Sequence, residues 1–379
     1  MALAFVSQST SCTSTACTAM SASASDAARD LLYQDQQQAM LRRSEVEEAL
    51  LAPVTSIMKA PKLTAVTERG TGFAASQKST SQARLANQQA KTLKRDGVLL
   101  VENVLSNEVA DQLRAFVLEQ QQVAQDVTAE DPSKSRGFYG VEQARKNRCD
   151  LQLSLLRGGY KADADTSSND DIIGAESTQH VLADALLEIL GAQGSLRSLY
   201  EKLVTPKGEF YELAAVVTHP GSHRQTIHPD LPFQDPAPLY VVFCALQDVT
   251  EDMGPTSFLL KSHTAAQNAQ FMSGDVDVKN AQLTGADCRL ANLKKGDAIV
   301  FDARTLHCGN ANSSKDKNKA RALFNFSFRN PKISGSLGYE GSIRPGYCQA
   351  MSLADIGDAL SAYENGEAEP FAKYGGGLL

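Results

Sequence analysis

The triplet His228-Pro229-Asp230, answered far downstream by His307, constrains this chain more than any other feature. In an extended backbone, residues two apart project from the same face, so His228 and Asp230 converge while Pro229 points away. Two imidazoles and one carboxylate leave coordination positions open, which suits a non-haem Fe(II) that must also bind a co-substrate and O₂. A fold that satisfies this pattern must bring two distant strand ends together.

An H-x-D pair by itself says little, since a His beside an Asp is ordinary in turns. The flanking segments add to it. Residues 293–302 read as a turn feeding a short apolar strand, and residues 306–310 deliver His307 just beyond it. Residues 321–328 then alternate strictly, with Phe324, Phe326 and Phe328 on one face and Arg321, Leu323, Asn325 and Ser327 on the other. A buried Arg on that more polar face needs an anionic partner.

These residues resemble the phytanoyl-CoA dioxygenase (PhyH) family of Fe(II)- and 2-oxoglutarate-dependent oxygenases. His228, Asp230, His307 and Arg321 meet the family pattern of an H-x-D pair, a distal His and a following Arg. The resemblance implies that the first three hold the metal and that Arg321 anchors the distal carboxylate of 2-oxoglutarate. Residues 93–106 are similar to the family's opening strand and helix start. Residues 253–263 resemble a further family stretch, and residues 341–345 a C-terminal segment. The proline-glycine expected before Ser262-His263 is replaced by Leu260-Lys261, and Gly309 stands where relatives often carry a hydroxyl residue that helps hold 2-oxoglutarate. Retention of Asp230 favours hydroxylation over halogenation, for which a small residue there would open a halide position.

The implied fold is mainly β with flanking helices: a double-stranded β-helix, or cupin-like jelly roll. Short strands at residues 211–218, 239–246, 298–301 and 322–328 agree with it. Ser106 is placed to cap a helix with Val109, Leu113, Phe116 and Val117 on its core face, and Leu182, Leu186, Ile189 and Leu190 mark a second helix ended by Gly191. The expected organisation is a leader and linker over residues 1–90, a dioxygenase domain over 91–350 and a tail over 351–379. Residues 1–25 carry no Lys, Arg, Asp or Glu and are rich in Ser, Thr and Ala. They read either as disordered or as a plastid-type targeting peptide, so cytoplasm and organelle both stay open, whereas a secretory signal lacks its basic start and apolar run. Residues 136–148, mixing Arg with aromatics, are the candidate lid over the site, and residues 161–171 read as a solvent loop.

The remaining composition excludes several classes. A net charge of −7 argues against a nucleic-acid surface. Residues 239–246 are among the longest apolar runs and fall far short of a membrane span. The 7 cysteines form no C-x-x-C pair and read as free thiols, with Cys308 a small buried filler. His219 and His223 are separated by Pro220-Gly221, which forbids a helical ligand pair; they read as turn residues, one of which could line the substrate pocket. His263 reads as structural and His180 as a surface residue. The reaction implied by the resemblance takes a small-molecule substrate, organic or lipid-like, to its hydroxylated product while 2-oxoglutarate goes to succinate and CO₂. A non-oxidative metal-binding barrel and an inactive family relative are the alternatives, and Arg321 discriminates against the first.

Overall fold

The computed structural model describes residues 60–66, 75–131, 147–153, 175–335, 337, 351–368 and 371. Their strands are β1 (Val98–Val101), β2 (Arg148–Gln152), β3 (Glu209–Thr218), β4 (Leu239–Ala245), β5 (Thr256–Leu259), β6 (Cys288–Leu290), β7 (Ala298–Asp302), β8 (His307–Gly309) and β9 (Arg321–Arg329). The helices are α1 (Ala75–Asp96), α2 (Asn107–Glu130), α3 (Ala175–Leu190), α4 (Arg197–Val204), α5 (Ala265–Phe271), α6 (Val276–Gly285) and α7 (Leu353–Glu364).

The alternation seen in β9 decides how these elements pack. Every residue of β9 is buried, because both of its faces are covered. Ala322, Phe324, Phe326 and Phe328 enter a core shared with Leu113, Leu186, Leu199 and Tyr200 of the helices. Tyr200 meets Phe328 at a centroid distance of 5.3 Å. Leu323, on the opposite face, joins a second core with Val241, Ile299, Phe301 and Phe258. Each such side chain contributes about 1.5 to 3 kcal/mol by leaving water.

Two antiparallel sheets result, flanked by helices. The larger has the order β1-β7-β4-β9-β3-β2 and the smaller β6-β5-β8. Phe258 of β5 and Phe301 of β7 touch across the gap at 5.2 Å, so the second core lies between the sheets. The four expected strands appear as β3, β4, β7 and β9 with ends shifted by a few residues at most.

Helix α2 starts where the sequence places it. Ser106 Oγ accepts a hydrogen bond from Val109 N, and Leu113, Phe116 and Val117 are buried. Helix α3 stops before Gly191, whose N–H donates to Leu187 O at 3.0 Å. Between α1 and β1 the chain turns at Gly97, with φ of +82°, where a Cβ would lie 2.5 Å from His263 Nδ1 and 2.6 Å from Thr305 Oγ1. His263 Nε2 bonds Lys94 O at 3.1 Å, consistent with the structural role expected of it.

The packed body is wider than residues 91–350. Ala90 and Leu93 of α1 and Leu353, Ile356 and Leu360 of α7 belong to the larger core. The expected linker and tail therefore each contribute a core helix, a difference traceable to apolar positions too sparse to stand out without the surface they cover. His180 also departs from expectation: it lies within α3, is partly buried, and its Nδ1 sits 3.1 Å from the Tyr363 hydroxyl of α7. Residues 1–59, 161–171 and 341–345 lie outside the described residues, as does the candidate lid except for Asn147 and Arg148. Arg148 is the first residue of β2. No helix among the described residues is long and apolar enough to cross a membrane.

If α7 is part of the cooperative core, Ile356→Ala should cost about 2 to 5 kcal/mol, read from the urea midpoint at unchanged slope. A loss below about 0.5 kcal/mol would remove α7 from that core.

Candidate metal centre

His228 and His307 are held opposite each other by their own backbones. His228 N donates to His307 O at 3.0 Å and His307 N donates to His228 O at 2.9 Å, an isolated antiparallel bridge at the start of β8. The rings lie side by side with centroids 4.7 Å apart. Phe258 stacks on His307 at 5.6 Å and Phe301 tilts against it at 5.0 Å, giving the site one apolar wall. Asp230 is brought in by its N–H, which donates to Ala303 O at 2.8 Å. Its Oδ1 is 3.5 Å from His307 Nε2 and 3.8 Å from His228 Nε2. One ligand atom from each residue lies within 4.8 Å of the others. Adjacent ligands on an ion with bonds of about 2.1 Å sit about 3 Å apart, so the three need only a small closing movement to hold one.

The imidazoles are oriented for that task. His228 Nδ1 faces Thr226 O at 2.8 Å and His307 Nδ1 faces Thr305 O at 2.9 Å. A carbonyl only accepts, so each Nδ1–H donates and each Nε2 keeps its lone pair for a metal. Both arise from the same local sequence, Thr226-Ile227-His228 and Thr305-Leu306-His307, whose middle residues are buried. Burial pushes the His307 imidazole down to about 4, against the Thr305 carbonyl and with help from the Arg148 charge. The ring is neutral at physiological pH, the form that ligates.

A buried ion pair ties the two ligand segments together. Arg304 Nη2 lies 2.6 Å from Asp302 Oδ2, and Arg304 Nη1 donates to Gln234 O just beyond Asp230. The guanidinium also covers the Phe233 ring at 5.1 Å. The end of β7 therefore grips the chain that follows the H-x-D triplet.

Arg321, on the inner face of β9 and 1% exposed, reaches β8 at Gly309, where a Cβ would lie 3.4 Å from its Nη2. Its Nη2 donates to Thr218 Oγ1 at 3.2 Å, while Nε and Nη1 have no partner among the described residues. Burial pulls this guanidinium down to about 9, with Arg148 adding to the effect and Asp150 opposing it, so it remains cationic at neutral pH.

Other candidates fall outside. His219 Nε2 bonds Gln121 Oε1 at 3.1 Å, and His223 is exposed. The Cys308 thiol is buried and pushed up to about 11, leaving it a filler and no nucleophile. Asp302 and Arg304 were not singled out from the sequence as site residues, and Arg148 only as the end of the candidate lid. For the imidazole orientation a signal did exist, in the repeated Thr-apolar-His tripeptide.

Two consequences can be measured. Because His307 titrates near 6.5 when unfolded and about 4 when folded, the unfolded state takes up a proton first, and metal-free protein should lose stability as pH falls from 6.5 towards 4. His307→Gln should lack that part of the loss, comparing urea midpoints at about pH 7.5 and about pH 5; equal pH slopes would count against the buried neutral ring. Arg304→Met, which strands Asp302 without its partner, should cost about 3 to 5 kcal/mol and weaken metal binding.

The family model for phytanoyl-CoA dioxygenase (PhyH) matches residues 93–320. No curated protein matches the chain in sequence. Similar solved structures include the non-heme alpha ketoglutarate dependent carbocyclase SnoK from nogalamycin biosynthesis, at 16% identity and TM-score 0.44, covering 64% of this chain and 83% of that one. AviO1 from Streptomyces viridochromogenes Tue57 is 15% identical with TM-score 0.42, covering 66% and 97%. HygX from Streptomyces hygroscopicus, solved with nickel and 2-oxoglutarate bound, is 12% identical with TM-score 0.39, covering 65% and 88%. The family match spans more than half of the chain and contains His228, Asp230 and His307; the chain belongs to the phytanoyl-CoA dioxygenase family, whose enzymes use Fe(II), 2-oxoglutarate and O₂.

Proposed function

We propose that this protein is an Fe(II)- and 2-oxoglutarate-dependent hydroxylase of a small organic or lipid-like substrate, built on a double-stranded β-helix. In this reading His228, Asp230 and His307 hold the iron, and Arg321 pairs with the distal carboxylate of 2-oxoglutarate. The observation that carries it is Arg321: a buried guanidinium with two unpartnered nitrogens beside a three-ligand centre. Leaving such donors without an anion is costly, and a barrel that merely held a metal has no use for them.

Bound Fe(II) with 2-oxoglutarate and O₂ would supply the oxidising power, placing one oxygen atom in a substrate C–H bond and the other in succinate with loss of CO₂. The chain's own part is placement. The backbone bridge at His228 and His307 fixes two ligands, the Thr226 and Thr305 carbonyls fix their tautomers, and Phe258 and Phe301 exclude water from one side. Further along the inner face of β9, Ser327 Oγ donates to Glu212 Oε2 at 2.6 Å and Asn325 is buried. That polar lining favours a substrate bearing hydrogen-bonding groups over a bare acyl chain.

Iron-loaded protein with 2-oxoglutarate and a metabolite extract should yield succinate together with a metabolite heavier by one oxygen. His228→Ala or Asp230→Ala should abolish both while leaving the circular dichroism spectrum nearly unchanged. Arg321→Leu should keep iron and raise the 2-oxoglutarate KM by an amount equivalent to about 2 to 5 kcal/mol. Normal iron content in all of the ligand variants would sink the assignment.

A further inference from the structure

The space beside Gly309 holds more than Arg321. On β3, Thr218 is paired with Arg321 of β9 on one side and with Arg148 of β2 on the other, so the three side chains stand in a row on one face of the sheet. Both guanidinia reach to the same point. A Cβ built on Gly309 would lie 3.1 Å from Arg148 Nη1, 3.4 Å from Arg321 Nη2 and 2.7 Å from Gln225 Oε1. Gln225 closes this corner, accepting from Gly309 N at 2.9 Å while its own N–H donates to Gly309 O at 2.8 Å.

Two cations this close, Arg321 buried and Arg148 largely so, repel each other unless an anion lies between them. Among the described residues the carboxylate paired with either is Asp150, 3.3 Å from Arg148 Nη2, which leaves one positive charge in excess. Three nitrogens in the cluster, Arg148 Nε and Arg321 Nε and Nη1, are buried without a hydrogen-bond partner. A small cavity lined by Phe243, Leu293, Ile299 and Leu323 abuts Arg321.

We propose that Arg148 is a second carboxylate-binding residue for the oxoacid, its guanidinium standing beside Gly309 and Arg321. This rests on the reading of Arg321 as the co-substrate anchor. It also accounts for glycine at 309, since any side chain there displaces Gln225 and Arg148. Doubling the cation makes the pocket select oxoacids that carry a distal carboxylate.

The test is anaerobic calorimetric titration of Fe(II)-loaded full-length protein with 2-oxoglutarate and, separately, with pyruvate, a 2-oxoacid lacking the distal carboxylate. Arg148→Ala should weaken 2-oxoglutarate binding roughly ten-fold or more while changing pyruvate binding less than about two-fold. Arg148→Lys should fall between, since it keeps the charge and loses the planar fork. Gly309→Ala, which alters no charge, should likewise weaken 2-oxoglutarate selectively. Equal 2-oxoglutarate affinity in wild type and Arg148→Ala, or equal loss for both oxoacids, overturns the assignment of Arg148 alone. Wild-type protein that binds neither oxoacid overturns the co-substrate reading itself and this assignment with it.

Discussion

Two reciprocal backbone hydrogen bonds, between His228 and His307, hold together everything that gives this protein a site. They join a segment outside the sheets to the first residue of β8, so each imidazole inherits its position from main chain and not from a flexible side-chain contact. Around that bridge the other constraints line up. Asp230 hangs from Ala303 O, the Asp302–Arg304 pair grips the chain past Asp230, and the Thr226 and Thr305 carbonyls turn both rings the same way. A set of residues that could hold a metal gains from this rigidity, because ligands left free to rotate lose more entropy when an ion binds.

The second constraint is the two-faced strand β9. Its phenylalanine face fastens the large sheet to the helices, and its other face carries a buried cation, Arg321. Burying a charge without a partner lowers stability, and the phenylalanine core on the far side offsets that cost. Apolar packing and a buried charge are thus divided between the faces of one strand. The same economy extends to β2 and β3, whose Arg148 and Thr218 lie in register with Arg321.

Contacts also link the periphery to the centre. Gly97 lets the α1–β1 turn pass close to His263 and Thr305, and Thr305 Oγ1 donates to Gly97 O at 2.9 Å. Thr305 O is in turn the acceptor that orients His307. The turn after helix α1 is therefore connected to the candidate metal centre through Gly97 and Thr305.

Much of this was legible in the linear chain, and the reasons are local. The H-x-D spacing, the alternation of β9 and the Ser106 cap each depend on geometry within a few residues, where backbone periodicity decides the outcome. Arg321 was readable for the same reason, as the polar member of an alternating run. Arg148 was legible only as the last residue of a candidate lid, because its place beside Arg321 comes from cross-strand register between β2, β3 and β9. Helices α1 and α7 were missed as core elements because their few buried positions gain meaning only from the surface they cover. His180 was misread because its neighbour Tyr363 is remote in sequence. Sequence alone determined which residues could ligate and which strand face was polar; only tertiary structure decided which distant groups share that face, because register and packing are set by contacts that no local window contains.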